Sequence, residues 1–332
     1  MKVDHKHLLT TSQRDNQNHM NNNNNIVVCP GQGSQEIGMG LELAKAFPPA
    51  REVFAEVDDA ISFPLFKLMT TGDIDELTKT ENAQPAIMAC SVAIWRIIAH
   101  SATDQVKIAD FAKLIAGHSL GEYSAYCIAN SLSLADTARL LRTRGQAMQG
   151  AAPLGTGAMA AIIGLEYATI NEVLSAITTA DNIVVIANDN SDGQVVISGH
   201  KTAVEQAISQ LQQAGAKRAV LLNVSAPFHS PLMQPAQEVM AEALQDVEFN
   251  DPDIPIIANV SAEVVDNAQQ AKQLLTDQVT GQVRWRPSML KASALGVETL
   301  YELGHGKVLS GLQRRIDRSI KTLTFDDLAA SL

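Results

Sequence analysis

The segment Gly117-His118-Ser119-Leu120-Gly121 carries the residue types and spacing of covalent chemistry. It fits G-x-S-x-G, in which the serine sits on a sharp turn between a strand and a helix with its hydroxyl exposed. The flanking text supplies both elements. Lys113-Leu114-Ile115-Ala116 reads as an apolar strand running directly into the motif, and helical text resumes after Tyr123. The backbone N–H of Leu120 then points into an oxyanion position at the helix N-terminus, where the dipole also favours developing negative charge. A serine hydroxyl is a poor nucleophile until a base removes its proton. His229 is the candidate base, in a loop bracketed by Pro227 and Pro231. His118 adjoins the serine, and neighbours on a tight turn point apart. His100 ends an apolar helix, while His200 and His305 lie in turn-like text.

The loop Pro30-Gly31-Gln32-Gly33-Ser34-Gln35 follows the apolar strand Ile26-Val27-Val28-Cys29. G-x-G-x-x-G fails at Glu36 and G-x-x-x-x-G-K fails at Met39, so neither a dinucleotide nor a nucleoside triphosphate is the expected ligand. A loop at the carboxyl end of a strand can instead supply a second oxyanion N–H, and Gln32 is the candidate. Further on, Leu134 to Met148 is amphipathic, with Leu134, Ala138, Leu141, Gly145 and Met148 on one face. At about 100° per residue, Arg142 and Arg144 fall on opposite shoulders of that face and Arg139 lies closer to solvent. An arginine at the buried edge can hold a substrate carboxylate bidentately, and spacing does not choose between Arg142 and Arg144.

These residues need a scaffold, and the chain is long enough to build one. It has 332 residues, 46% of them hydrophobic and 18% charged, which excludes a disordered protein and allows one large domain or two smaller ones. The net charge of -11 argues against general nucleic-acid or anionic-membrane binding. The most apolar stretch, Ala86 to Ile98, is too short to span a bilayer and contains Arg96. Cys29, Cys90 and Cys127 form no CxxC pair, which predicts small buried hydrophobes rather than disulfides or a metal site.

Residues 1–25, ending in the run Asn21 to Asn25, read as a disordered extension; His5, His7 and His19 lie in it. From Ile26 strand, loop and helix alternate, with helical text at Leu41 to Ala46 and Arg51 to Ala60 and a buried helix opened by Pro85 and running to Ile98. From Gly157 the rhythm changes. Strands at Ala158 to Leu165, Ile183 to Ala187, Gln194 to Ser198 and Arg218 to Val224 enclose helices at Thr169 to Thr179 and Ala203 to Ala214. That βαββαβ order predicts a ferredoxin-like small domain over 153–224, inserted into a larger α/β domain of 26–152 and 225–332. Ile254 to Asn259 and Thr299 to Leu303 are the later strand candidates.

Together these residues resemble the malonyl-CoA:acyl carrier protein transacylases, the loading enzymes of bacterial type II fatty acid synthesis. The resemblance runs from Ile26 to about Ile316. It rests on Pro-Gly-Gln-Gly-Ser-Gln at 30–35, Gln84-Pro85-Ala86, Gly-His-Ser-Leu-Gly-Glu-Tyr at 117–123, Arg144-Gly145-Gln146-Ala147-Met148, Gly-Gln-Val-Val-Ile-Ser-Gly-His at 193–200 and Gly-Lys-Val-Leu at 306–309. It implies an α/β-hydrolase-like core with a parallel sheet and a ferredoxin-like insertion. It also implies Ser119 as nucleophile, His229 as base, Gln32 and Leu120 as oxyanion donors, and Arg144, rather than Arg142, on the malonyl carboxylate. The backbone carbonyl of Gln278 would orient the histidine where a hydrolase uses an acid, with Gln84, His118 and Phe228 lining the pocket. Phe228 is the residue of malonyl-selective members. His305 departs from the family, which more often has Pro or a small residue there.

The implied substrate is malonyl-CoA and the implied partner acyl carrier protein, for a cytoplasmic monomer with no metal or redox cofactor. The alternatives are a stand-alone polyketide malonyltransferase, a serine esterase or thioesterase on the same core, and a non-catalytic carrier-binding module. An esterase predicts an acid for the histidine, with Asp181, Asp189 and Asp192 available. Two anionic partners sit oddly with an acidic chain. However, five Lys/Arg (Lys307, Arg314, Arg315, Arg318, Lys321) stand against one acid, Asp317, between His305 and Lys321, and Lys217-Arg218 and Arg284/Arg286 add smaller clusters. Lys217, Arg218, Arg314 and Arg315 are therefore expected to form a basic rim for carrier and coenzyme A.

Overall fold

The computed structural model describes residues 24–101, 106–153, 155–224 and 226–329. Residues 1–23 of the expected extension, with its three histidines, lie outside the described residues, as does Ser225 at the expected domain boundary.

Strands β1 (Asn25–Cys29), β2 (Leu114–Gly117), β7 (Ile256–Ile257), β8 (Val264–Val265), β9 (Thr299–Glu302) and β10 (Lys321–Thr324) form one sheet in the order β10-β9-β1-β2-β7-β8. All its pairings are parallel except β7 with β8. β1 and β2 are buried on both faces, which is why they read as unbroken apolar runs. Alternate side chains go to opposite layers: Val27, Cys29 and Ile115 join the larger apolar cluster, and Ile26, Val28, Leu114 and Ala116 the one on the other face. Asn25, expected in the extension, is the first residue of β1, and its side-chain Nδ2 donates to Phe111 O at 2.8 Å. Lys321, counted in the basic cluster, belongs to β10. The three cysteines are buried and free.

The helix expected to open at Pro85 begins at Thr80 and runs to Ser101. Proline has no N–H for the carbonyl of Glu81 one turn back, and Arg142 Nη1 donates to that oxygen instead at 3.2 Å. This helix packs on Leu134–Gly150, whose N-terminus is capped by Ser133.

A second sheet is antiparallel, with β3 (Gly157–Ile163), β4 (Val184–Ser191), β5 (Gln194–His200) and β6 (Arg218–Leu221) in the order β4-β5-β3-β6. The first and third strands in sequence are central, the ferredoxin-like arrangement. Helices Tyr167–Ile177 and Lys201–Gln213 cover one face with a separate apolar cluster. β4 is longer than its apolar run because the polar Asn188-Asp189-Asn190-Ser191 continues it through two register shifts. Its backbone is satisfied outside the small sheet: Asp189 N donates to Val283 O at 2.9 Å and Val283 N to Ala187 O at 2.8 Å.

Candidate active site

Parallel pairing sets Cys29 beside Gly117, and His118 N donates to Cys29 O at 3.0 Å. That register places the loop after β1 against the turn after β2. A Cβ on Gly121 would lie 2.2 Å from Cys29 O, and one on Gly117 would lie 1.9 Å from the Gly121 backbone, so the motif's glycines are what allow the helix to start so close to the strand. Ser119 between them has φ 55°, a left-handed conformation unfavourable for a side-chain-bearing residue. Asn259, just after β7, brackets this turn. Its Oδ1 accepts from Ser119 N at 2.8 Å and its Nδ2 donates to Gly117 O at 2.7 Å.

Ser119 Oγ lies 2.7 Å from His229 Nε2. His229 Nδ1 faces two carbonyls, Gln278 O at 2.9 Å and Gly281 O at 3.1 Å. Carbonyls only accept, so Nδ1 carries the proton and Nε2 is left as the acceptor for the serine hydroxyl. Burial, then the nearby Arg144 charge, pushes the His229 pKa down to about 3. The imidazole is therefore neutral at physiological pH, with Nε2 placed to accept a proton from Ser119 Oγ.

Arg144, 1% exposed, projects from its helix into the same site. Its Nη1 donates to Gln84 Oε1 at 2.8 Å; its Nη2 donates to Gln278 Oε1 at 2.8 Å and to Ser119 Oγ at 3.2 Å. Among the described residues no carboxylate lies within ion-pair distance of it, and its Nε has no hydrogen-bond partner. A buried guanidinium with no carboxylate in direct contact is costly, so this site favours an anionic group on the substrate. Gln32 and Leu120 line the same cavity of about 400 Å³, and among the described residues their backbone N–H groups have no acceptor. Its apolar wall includes Met148, Met159, Val196, Phe228 and Leu309.

The acyl transferase domain family matches this chain over residues 26–324. The chain belongs to the acyl transferase domain family. It is 44% identical to the malonyl CoA-acyl carrier protein transacylase of Bacillus subtilis strain 168 over 90% of this chain and 92% of that protein. The crystal structure of an acyl-carrier-protein S-malonyltransferase from Bartonella henselae aligns with TM-score 0.89 and 50% identity, over 93% of this chain and 98% of that one. A malonyl-transacylase in complex with a type II PKS acyl-carrier protein aligns with TM-score 0.87 and 40% identity, over 93% and 98%.

In this acyl transferase domain Ser119, His229, Arg144, Gln84, Gln278, His118, Phe228, Gln32 and Leu120 converge on one place. Arg142 does not enter the cavity: it lies over the Phe63 ring and pairs with Asn82 and Glu81. Burial pushes the His118 pKa below its ordinary value, and its Nε2 lies 2.9 Å from Asn190 Oδ1. Of the acids an esterase would need, Asp189 and Asp192 are held by Arg286 at 3.0 and 3.1 Å, and His229 Nδ1 meets carbonyls. His305 pairs with Glu36 at 2.7 Å.

The expected basic rim is only partly assembled. Arg315 Nη1 donates to the cavity-lining Gln194 at 2.5 Å, and Arg218 shares the sheet face of Gln194 across β3. Arg314 turns instead to Thr322 at 3.2 Å because β10 packs on its helix, and the Lys217 stem lies against Gly164. Asn259, Asn190 and Glu122 also contact the site, although no local pattern assigns Asn259 or Asn190 to it. Glu122 stands beside the G-x-S-x-G motif and carries a signal, a buried carboxylate in the first turn of an apolar helix; nothing marks Asn259 in its own neighbourhood.

Proposed function

We propose that this protein transfers the malonyl group from malonyl-CoA to the phosphopantetheine thiol of acyl carrier protein through a malonyl-Ser119 intermediate, in the cytoplasm, supplying fatty acid synthesis. The observation that carries the reading is the buried Arg144 guanidinium 3.2 Å from the nucleophile oxygen. There it can pair with a carboxylate one methylene away from the reacting carbonyl. In the first half-reaction His229 Nε2 takes the Ser119 proton while Oγ bonds to the thioester carbon. The oxyanion rests on the N–H groups of Gln32 and Leu120, the C–S bond breaks, and the proton passes to coenzyme A. The carrier thiol then reverses these steps.

A backbone carbonyl behind the histidine suits thiol chemistry. It stabilises a developing imidazolium less than a carboxylate does, and a thiol of pKa about 8.5 needs less help than water. The complex of a related malonyl-transacylase with an acyl-carrier protein supports a carrier as acceptor. The same reading treats residues 153–224 as an inserted small domain, supported by its own apolar cluster. The test is mass spectrometry after malonyl-CoA treatment. A malonyl adduct on Ser119 that is discharged by carrier thiol faster than by water is expected; no adduct, or faster loss to water, overturns the reading.

A further inference from the structure

Gln278 bonds to Ser119, His229 and Arg144 alike. Its main-chain carbonyl takes His229 Nδ1, its Oε1 takes Arg144 Nη2, and its Nε2 donates to Ser119 O at 2.9 Å and to Glu122 Oε2 at 2.7 Å. An amide between a guanidinium and Glu122 Oε2 has one satisfied orientation, because the first only donates and the second, which also takes the backbone N–H of Asn259, only accepts. Turned over, it would set its NH2 against Arg144 and its oxygen against Glu122, with both contacts repulsive.

We propose that Glu122 is a specificity-positioning residue, its carboxylate holding the Gln278 amide oxygen toward Arg144 and thereby fixing the guanidinium for a malonyl carboxylate. Glu122 is itself held in place. It is 1% exposed, and its Oε2 also accepts from Asn259 N at 3.3 Å, the residue whose side chain brackets the nucleophile turn. One buried oxygen thus anchors the side-chain amide that aims Arg144 and the main chain of the residue whose side chain supports Ser119. This inference rests on the malonyl-transfer reading of the site.

The test compares loading of Ser119 from malonyl-CoA and from acetyl-CoA as the ratio of kcat/KM values. Glu122→Met fills a similar volume without an acceptor, so the Gln278 amide is released. Malonyl loading is expected to fall by at least about tenfold more than acetyl loading, mainly through KM, because an anchored arginine binds substrate and transition state alike. Glu122→Gln restores the ratio to within about threefold of the parent, since the Asn259 N–H selects its oxygen for the Oε2 position. A merely structural carboxylate would not be rescued in this substrate-specific way. Glu122→Asp, which keeps the charge but shortens the reach, is the second arm and shifts the ratio in the same direction as Met, so the idea stays testable if Met does not fold. An unmoved ratio in the folded Met or Asp variant, or a Gln variant as indiscriminate as Met, overturns the role. The malonyl-serine adduct on the parent protein is the control: its absence removes the transfer reading, whereas its presence with an unmoved ratio removes only the role of Glu122.

Discussion

His229 and Glu122 are buried in one network and titrate away from their ordinary values in opposite senses. The histidine is lowered to about 3 from 6.5, chiefly by burial; the carboxyl, also chiefly by burial, is raised from 4.5 to about 7. Between pH 6.5 and about 3 the unfolded chain protonates His229 while the folded one does not, so its contribution is present above 6.5 and is lost as the pH falls. Glu122 has the other sign: the folded state keeps a proton that the unfolded state loses between pH 4.5 and 7, so its contribution is lost as the pH rises. The raw stability curve therefore mixes the two, and a His229→Gln comparison isolates the base. The stability advantage of the parent over His229→Gln is expected to shrink from pH 7 to pH 5, by up to about 1.4 kcal/mol per unit below the ordinary histidine pKa. Denaturant unfolding at both pH values measures it, and a difference that does not move with pH contradicts the neutral base. At this scale Ser119 and His229 were legible because G-x-S-x-G and a proline-bracketed histidine are local patterns. Asn259 was not, since its bonds to Gly117 and Ser119 cross about 140 residues of sequence.

The nucleophile turn works as an element because its neighbours leave no room for alternatives. Gly121→Ala would set a Cβ 2.2 Å from Cys29 O, a backbone atom that the sheet register holds fixed. Either the helix Gly121–Ile128 or β1 must move, at a cost of about 1–3 kcal/mol or more. Because the same contact sets the height of Ser119 against the Gln32 loop, Ser119 acylation should fall together with stability. Gly150 closes the helix Leu134–Gly150 with nothing within 4 Å of a built Cβ. Gly150→Ala is expected to leave acylation unchanged and to stabilise by up to about 1 kcal/mol. Paired unfolding and acylation measurements check both, and a Gly121→Ala protein as stable as the parent refutes the close-packed turn. The strand–turn–helix itself was legible in the text because its apolar strand is buried on both faces. Two other elements run beyond their local sequence patterns for long-range reasons. The helix around Pro85 extends back to Thr80 because Arg142 occupies the carbonyl that proline leaves, and β4 runs through Asn-Asp-Asn because Val283 and Arg286 satisfy it.

Across the whole molecule the acidic charge of -11 and the carrier proposal meet at the cavity mouth. The linear clustering of Lys/Arg after His305 suggested a continuous rim, but folding divides it, since residues adjacent in a helix face different neighbours. Arg315 is tied to Gln194 on the cavity wall, and Arg218 lies exposed on the same sheet face. Arg314 is committed to β10. Exposed Val308 lines the mouth and exposed Val220 shares the Arg218 strand, so the two basic groups flank apolar surface instead of forming a uniform positive field. An acidic carrier held by such a mixed surface gains mainly in encounter rate, an effect that weakens as salt shortens the screening length to about 8 Å at physiological ionic strength. Charge reversal at Arg315 or Arg218 should therefore raise KM for carrier protein at low salt and converge with the parent as salt increases. Reversal at Arg314 or Lys217, which face β10 and Gly164, should have the smaller effect. Steady-state kinetics across a salt series decides the matter, and equal responses at Arg314 and Arg315 would return the rim to a diffuse field with no preferred face.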